Sequence, residues 1–228
     1  MAASISRSTS DEDRTRFSRL ILVIIDELTQ ILRDLLHSEI SPTQIYNRVK
    51  QMNYLQKLRP DQIVTLNDAN VRGYQEFDTT LLYTLLRNVC RNITPPSRNW
   101  GVSKMPSQNE VTVGDDIERV RIIRNKICGH IAEAAIPETE FKELWSIIFD
   151  ICTRMQALLK NDYVKRLQDA KECTIDTDTE NKYIDLLKRL AEEEKSTRDI
   201  IQGTLVTKIN YLKNCPLATE KPLLLPQF

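Results

Sequence analysis

The chain has 228 residues, room for one domain with a real hydrophobic core plus a small helical extension. Its 32 Lys and Arg balance 32 Asp and Glu, so no global field draws it to nucleic acid and any RNA contact has to be local. Five cysteines without a C-x-x-C pair argue against a disulfide framework, and five glycines among many Leu, Ile, Lys, Glu and Arg favour long helices, so the expected class is all-α.

Residues 1–10 are small and polar and read as a disordered tail with no apolar core of a secretory leader. The most apolar run, Leu20 to Ile25, stops at Asp26-Glu27, short of the roughly 20 residues that span a bilayer. A cytoplasmic, reducing setting without membrane partners is the expectation. Ser10 with Asp13 reads as a cap for a helix running to about His37, with Phe17, Leu20, Ile21, Ile24, Leu28, Ile31, Leu32 and Leu35 at helical spacing. Ser41-Pro42 opens a second helix carrying Ile45, Val49 and Met52 and ending near Leu58. Arg59-Pro60 breaks it, and a short helix around Asp61 to Asn67 precedes a turn at Gly73.

Asp78 stands at an N-cap position ahead of Leu81, Leu82, Leu85, Leu86 and Val89, a helix expected to end near Ile93. Residues 94–114, with three prolines and Trp100-Gly101, form a long loop. Asp115 is expected to cap the next helix while Glu118 reaches back, with Ile117, Val120, Ile123 and Ile127 as its core stripe and an end near Gly129. Pro137 precedes an amphipathic helix with Phe141, Leu144, Trp145, Ile148, Ile151, Cys152, Met155 and Leu158, and a shorter helix runs from Tyr163 to about Glu172. Thr177 to Gln202 reads as a charged helix with a weak coiled-coil pattern. The domain organisation expected is a helical domain over 11–172, a charged C-terminal helix within 173–205 and a flexible tail over 206–228.

One stretch carries chemistry. In Arg124-Asn125-Lys-Ile-Cys-Gly-His130, one of only two histidines follows an arginine by six positions at a helix end. At 100° per residue, Arg124 lies about 40° to one side of Val120 and His130 about 80° to the other. They flank the core stripe without touching. Unwinding at Gly129, or two copies facing each other, would bring them together. Such a site suits RNA cleavage without a metal or cofactor. His130 can move a proton near neutrality, Arg124 can hold charge on the phosphoryl oxygens, and Asn125 can orient the phosphate or the imidazole. DNA lacks the attacking 2′-hydroxyl and is not expected as a substrate.

On the local residues alone the bland alternatives outweigh the chemical reading. Arg124 could pair with a core-edge acid such as Asp78, His130 could complement the carbonyl end of its helix, and Trp100 could pin its loop rather than stack on a base. Arg119, Arg121, Arg124 and Lys126 beside Asp115, Asp116 and Glu118 read as a solvated mixed-charge face. Cys128 reads as packing and His37 as a C-terminal cation.

Arg-Asn-x4-His at a helix end resembles the signature of HEPN domains, and its surroundings resemble the HEPN domain of the DAZ-interacting, RNA-binding ubiquitin ligase family. The matching pieces are Phe77-Asp78-Thr79-Thr80-Leu81-Leu82-Tyr83, Pro96 to Trp100-Gly101, Asp116-Ile117-Glu118-Arg119-Val120-Arg121, Arg124-Asn125 to His130, and Phe141 to Trp145, roughly residues 45–160. The resemblance implies a bundle of four to five core helices plus additional ones, paired into a homodimer. It implies Arg124, Asn125 and His130 as catalytic residues, with Asp78, Asp116, Arg121 and Trp100 in support. In some relatives of this type RNA is cleaved, and in others the module only binds RNA or protein within a signalling or innate-immune protein. Single-stranded RNA and a non-catalytic scaffold role are therefore both expectations. Without zinc-ligand clusters no RING can be built, so ubiquitin-ligase activity does not carry over.

Overall fold

A rod of three consecutive helical segments organises the bundle: α1 (Ala3–Leu22), a π-helical turn (Val23–Leu28) and α2 (Thr29–Glu39). The computed structural model describes residues 3–173, 175–176, 178–189, 191–192 and 195, with side chains from Asp11 onward. The apolar stripe read from the sequence is the buried face of this rod, with Phe17, Leu20, Ile21, Ile24, Leu28, Ile31, Leu32 and Leu35 in the core. Each such side chain contributes roughly 1.5–3 kcal/mol on burial. Two features of the rod differ from the sequence reading. The helix begins at Ala3, so Ser10 is interior rather than a cap. The wider π turn also interrupts it at Asp26-Glu27, where the Thr29 hydroxyl donates to the carbonyl of Ile24 at 2.9 Å. Local propensity gives no warning of such a turn.

The remaining helices wrap this rod. Pro at the first position starts both α3 (Pro42–Gln51) and α4 (Pro60–Asn67), where its missing N–H costs nothing. The second helix stops at Gln51, earlier than Leu58, because Asn53 takes a left-handed conformation (φ +53) and Leu55–Lys57 form a single 3-10 turn. A one-turn helix, α5 (Ala69–Arg72), ends at Gly73, whose φ of +65 favours glycine. α6 (Thr79–Asn88) then lies along α2, and α7 (Val113–Gly129), α8 (Glu138–Leu159) and α9 (Tyr163–Glu172) complete the bundle.

A last helix, α10, spans 178–189. It folds back onto the rod, burying Ile184 and Leu187, and Tyr183 donates to Asp26 at 2.5 Å while Glu180 accepts from Arg14 and Ser18. Its described part is therefore a surface element of this bundle. The rest of the expected helix to Gln202, and the tail from 206, lie outside the described residues. Among the described residues all regular structure is helical, and no helix is long and apolar enough to cross a membrane.

Candidate functional site

α7 carries the motif, and its first turn ties down the long loop before it. Thr112, not Asp115, is the N-cap: its hydroxyl accepts from the Asp115 amide at 3.1 Å, and Asp115 reaches back to the Thr112 amide at 2.9 Å. The capping box is thus shifted three residues upstream of the sequence reading. Asp115 also takes the amide and hydroxyl of Ser97, at 2.8 and 2.7 Å. Burial pushes the Asp115 carboxyl up, but the hydrogen bonds from Ser97 and Thr112 outweigh it and hold it below the usual carboxylate range. Gly114 makes this seat fit, because a Cβ there would stand 2.3 Å from the nitrogen of Pro96.

Glu118 is released from capping for another task. It accepts from the Tyr83 hydroxyl (2.7 Å), the Gly101 amide (2.8 Å) and Arg121 (2.6 and 2.9 Å), while Arg121 donates onward to the Val102 carbonyl. Burial, reinforced by Glu118, pushes the Tyr83 phenol up to about 12. Trp100 packs edge-on against the Tyr83 ring with centroids 6.0 Å apart, so it pins its loop. Asp116, only 1% exposed, binds Arg119 at 2.7 Å and takes a two-pronged contact from Arg154 of α8 at 2.6 and 2.8 Å. The solvated mixed-charge face expected here is corrected: Asp115, Asp116, Glu118, Arg119 and Arg124 are buried, Asp116 pairs with Arg119 and Glu118 with Arg121, and Lys126 stays exposed. A hydropathy pattern treats such residues as surface, because it cannot see that three loop and helix partners satisfy them.

The motif residues divide between two neighbours. Arg124 is 1% exposed and donates from Nη1 to the Thr80 hydroxyl of α6 at 3.1 Å; Asp78, the acid considered for it, instead caps α6 by accepting from the Leu81 amide at 2.6 Å. Asn125 is half-buried beside it. The helix does not unwind at Gly129. His130 is its C-cap at φ −94 and ψ 2, with a side chain 25% exposed and turned to α8, where Nε2 lies 3.3 Å from Oε1 of Glu140. Lys126 approaches the same oxygen at 3.0 Å. Burial pushes the Glu140 carboxyl up, but Lys126 and His130 together bring it below the usual range. The backbone after His130 turns tightly: its carbonyl accepts from Glu133 and Ala134, Ala134 sits at φ +47, and Ile136 docks on α1 through Asp13.

Sequence reasoning missed Thr80 and Glu140. Thr80 lies inside the recognised Asp78-Thr79-Thr80 block, but only packing reveals that its hydroxyl meets an arginine from 44 positions downstream. Glu140 stands in the first turn of α8, where an acid is read as a helix-dipole partner, and no local pattern links it to His130. A partly exposed imidazole held through one nitrogen by a carboxylate is an arrangement able to move protons.

A family model described as DZIP3/hRUL138-like HEPN matches residues 31–183, from α2 to the first turns of α10 and wider than the stretch that carries the resemblance in the sequence. Comparison with curated proteins and with solved structures gave no match. With the motif at the end of α7, the all-helical bundle and this match over more than half its length, the chain belongs to the DZIP3/hRUL138-like HEPN family.

Proposed function

We propose that this HEPN domain cleaves RNA without a metal, with His130 as the acid or base. The observation that supports it is the His130 imidazole, partly exposed at the end of α7, with Nε2 turned to Glu140 at 3.3 Å. In the reaction a base takes the proton from a ribose 2′-hydroxyl, the 2′-oxygen attacks the adjacent phosphorus, and the bond to the 5′-oxygen breaks as that oxygen is protonated, leaving a 2′,3′-cyclic phosphate. Two copies facing each other through α7 supply two imidazoles to one phosphodiester, so the proposed active form is a homodimer. Arg124 contributes from the inside, by holding α7 to α6. To clamp a phosphate it has to leave Thr80.

The burial of Arg124 favours a second reading, a HEPN module that assembles proteins and cuts nothing. One experiment separates them: wild type and His130→Ala are incubated with labelled single-stranded RNA in EDTA, with mass measured by light scattering. Cyclic-phosphate fragments from wild type alone, in a dimeric protein, are the expected result. RNA left intact by a dimer transfers the case to the assembly reading.

A further inference from the structure

The His130 imidazole turns one nitrogen to a carboxylate, and that approach bears on which nitrogen can react. Nε2 faces Oε1 of Glu140 at 3.3 Å. An ionised carboxylate only accepts hydrogen bonds, so a bond across this gap requires the hydrogen to be on Nε2. Glu140 is kept ionised from two sides. Lys126 stands 3.0 Å from the same oxygen, and the carboxylate sits in the first turn of α8, where the positive end of the helix dipole favours an anion. A neutral imidazole carries a single N–H, so with Nε2 taken the lone pair is on Nδ1.

We propose that Glu140 is a positioning residue that fixes His130 as the Nε2–H tautomer and leaves Nδ1 as the nitrogen that exchanges protons with the substrate. The assignment of Nδ1 to RNA chemistry rests on the cleavage reading above; the Glu140–His130 coupling does not. In the cleavage step Nδ1 takes the 2′-hydroxyl proton as the 2′-oxygen bonds to phosphorus. The imidazolium so formed keeps its Nε2–H on Glu140, which stabilises the positive charge. The leaving 5′-oxygen takes its proton from the Nδ1–H of the imidazolium of the second copy. One His130 gains the proton that the other gives up. Lys126 enters through Glu140, holding the carboxylate in place without touching the ring.

The coupling is tested by nitrogen-15 NMR of the imidazoles, with His37→Gln used to assign the two histidines. Wild type is expected to show His130 with a protonated Nε2, an unprotonated Nδ1 and an observable, slowly exchanging Nε2–H proton. Glu140→Gln, whose amide oxygen still accepts, retains that proton signal; Glu140→Ala loses it while its circular dichroism stays helical. An Nδ1–H tautomer in wild type, or an unchanged Nε2–H signal in Glu140→Ala, overturns the proposal. On RNA, Glu140→Ala is expected to lower kcat about 10- to 100-fold with little change in KM, the scale for losing a group that orients a functional histidine. A wild type that shows the Nε2–H signal, loses it in Glu140→Ala and cuts no RNA sinks the cleavage reading and leaves the coupling standing.

Discussion

The two ends of α7 are built to opposite purposes. At its N-terminal end Asp115, Asp116 and Glu118 are buried, and each is met by several donors from the 97–112 loop, α6 or α8. At its C-terminal end His130 is a quarter exposed and meets one carboxylate, next to a turn that holds Ala134 at positive φ. The same helix therefore carries a locked polar seat and, about four turns on, an open group able to react. Stability and chemistry are separated along it, and substitutions at its two ends should fail in different ways.

The largest effect is expected at Asp116. Asp116→Ala leaves Arg119 buried and Arg154 half-released without their anion, and breaking a buried pair in this way costs about 3–5 kcal/mol. Urea unfolding measures the loss. A drop under 1 kcal/mol would show that the arginines escape to water and that the seat is not locked. Gly114→Ala is expected to cost about 1–3 kcal/mol, because its Cβ would meet the backbone of Pro95 and Pro96 at 2.6 and 2.3 Å and push the loop off the helix. Increased proteolysis within 94–112 is the accompanying sign.

The seat also has a pH dependence of known sign. Because the Asp115 pKa is depressed in the folded chain, its contribution is complete above the ordinary carboxylate value of about 4 and is lost as pH falls through the folded value. Asp115→Asn cannot hold the same contribution. The stability gap between wild type and Asp115→Asn should therefore be widest at neutral pH and close towards about pH 3. A gap that is constant over that range contradicts the assignment.

Much of this is legible in the sequence alone. The apolar stripes of the rod, Pro42 and Pro60 as helix starts, Asp78 as a cap and Pro137 as a break are local signals, and local physics decides them. The sequence points to Asp115 as the α7 cap where the structure has Thr112, because both precede a helical pattern at a suitable distance and only the loop contacts choose between them. The motif's position at a helix end was legible. Its neighbours were not: Thr80 and Glu140 reach Arg124 and His130 through the packing of α6 and α8, which no spacing along the chain encodes.

The smallest stability effect is expected where the chemistry is. His130→Ala removes an imidazole that is a quarter exposed and takes part in one partly exposed ion pair, and such pairs contribute about 0–1 kcal/mol. The variant should unfold within that margin of wild type, and its mass by light scattering should be unchanged. Removing the only proton-exchanging group of the proposed site should nevertheless abolish cleavage. This dissociation, stability retained and chemistry lost, is the reverse of what Asp116→Ala should do to the other end of the same helix. If His130→Ala instead destabilises the fold by several kcal/mol, the imidazole is a structural cap and the contrast between the ends disappears.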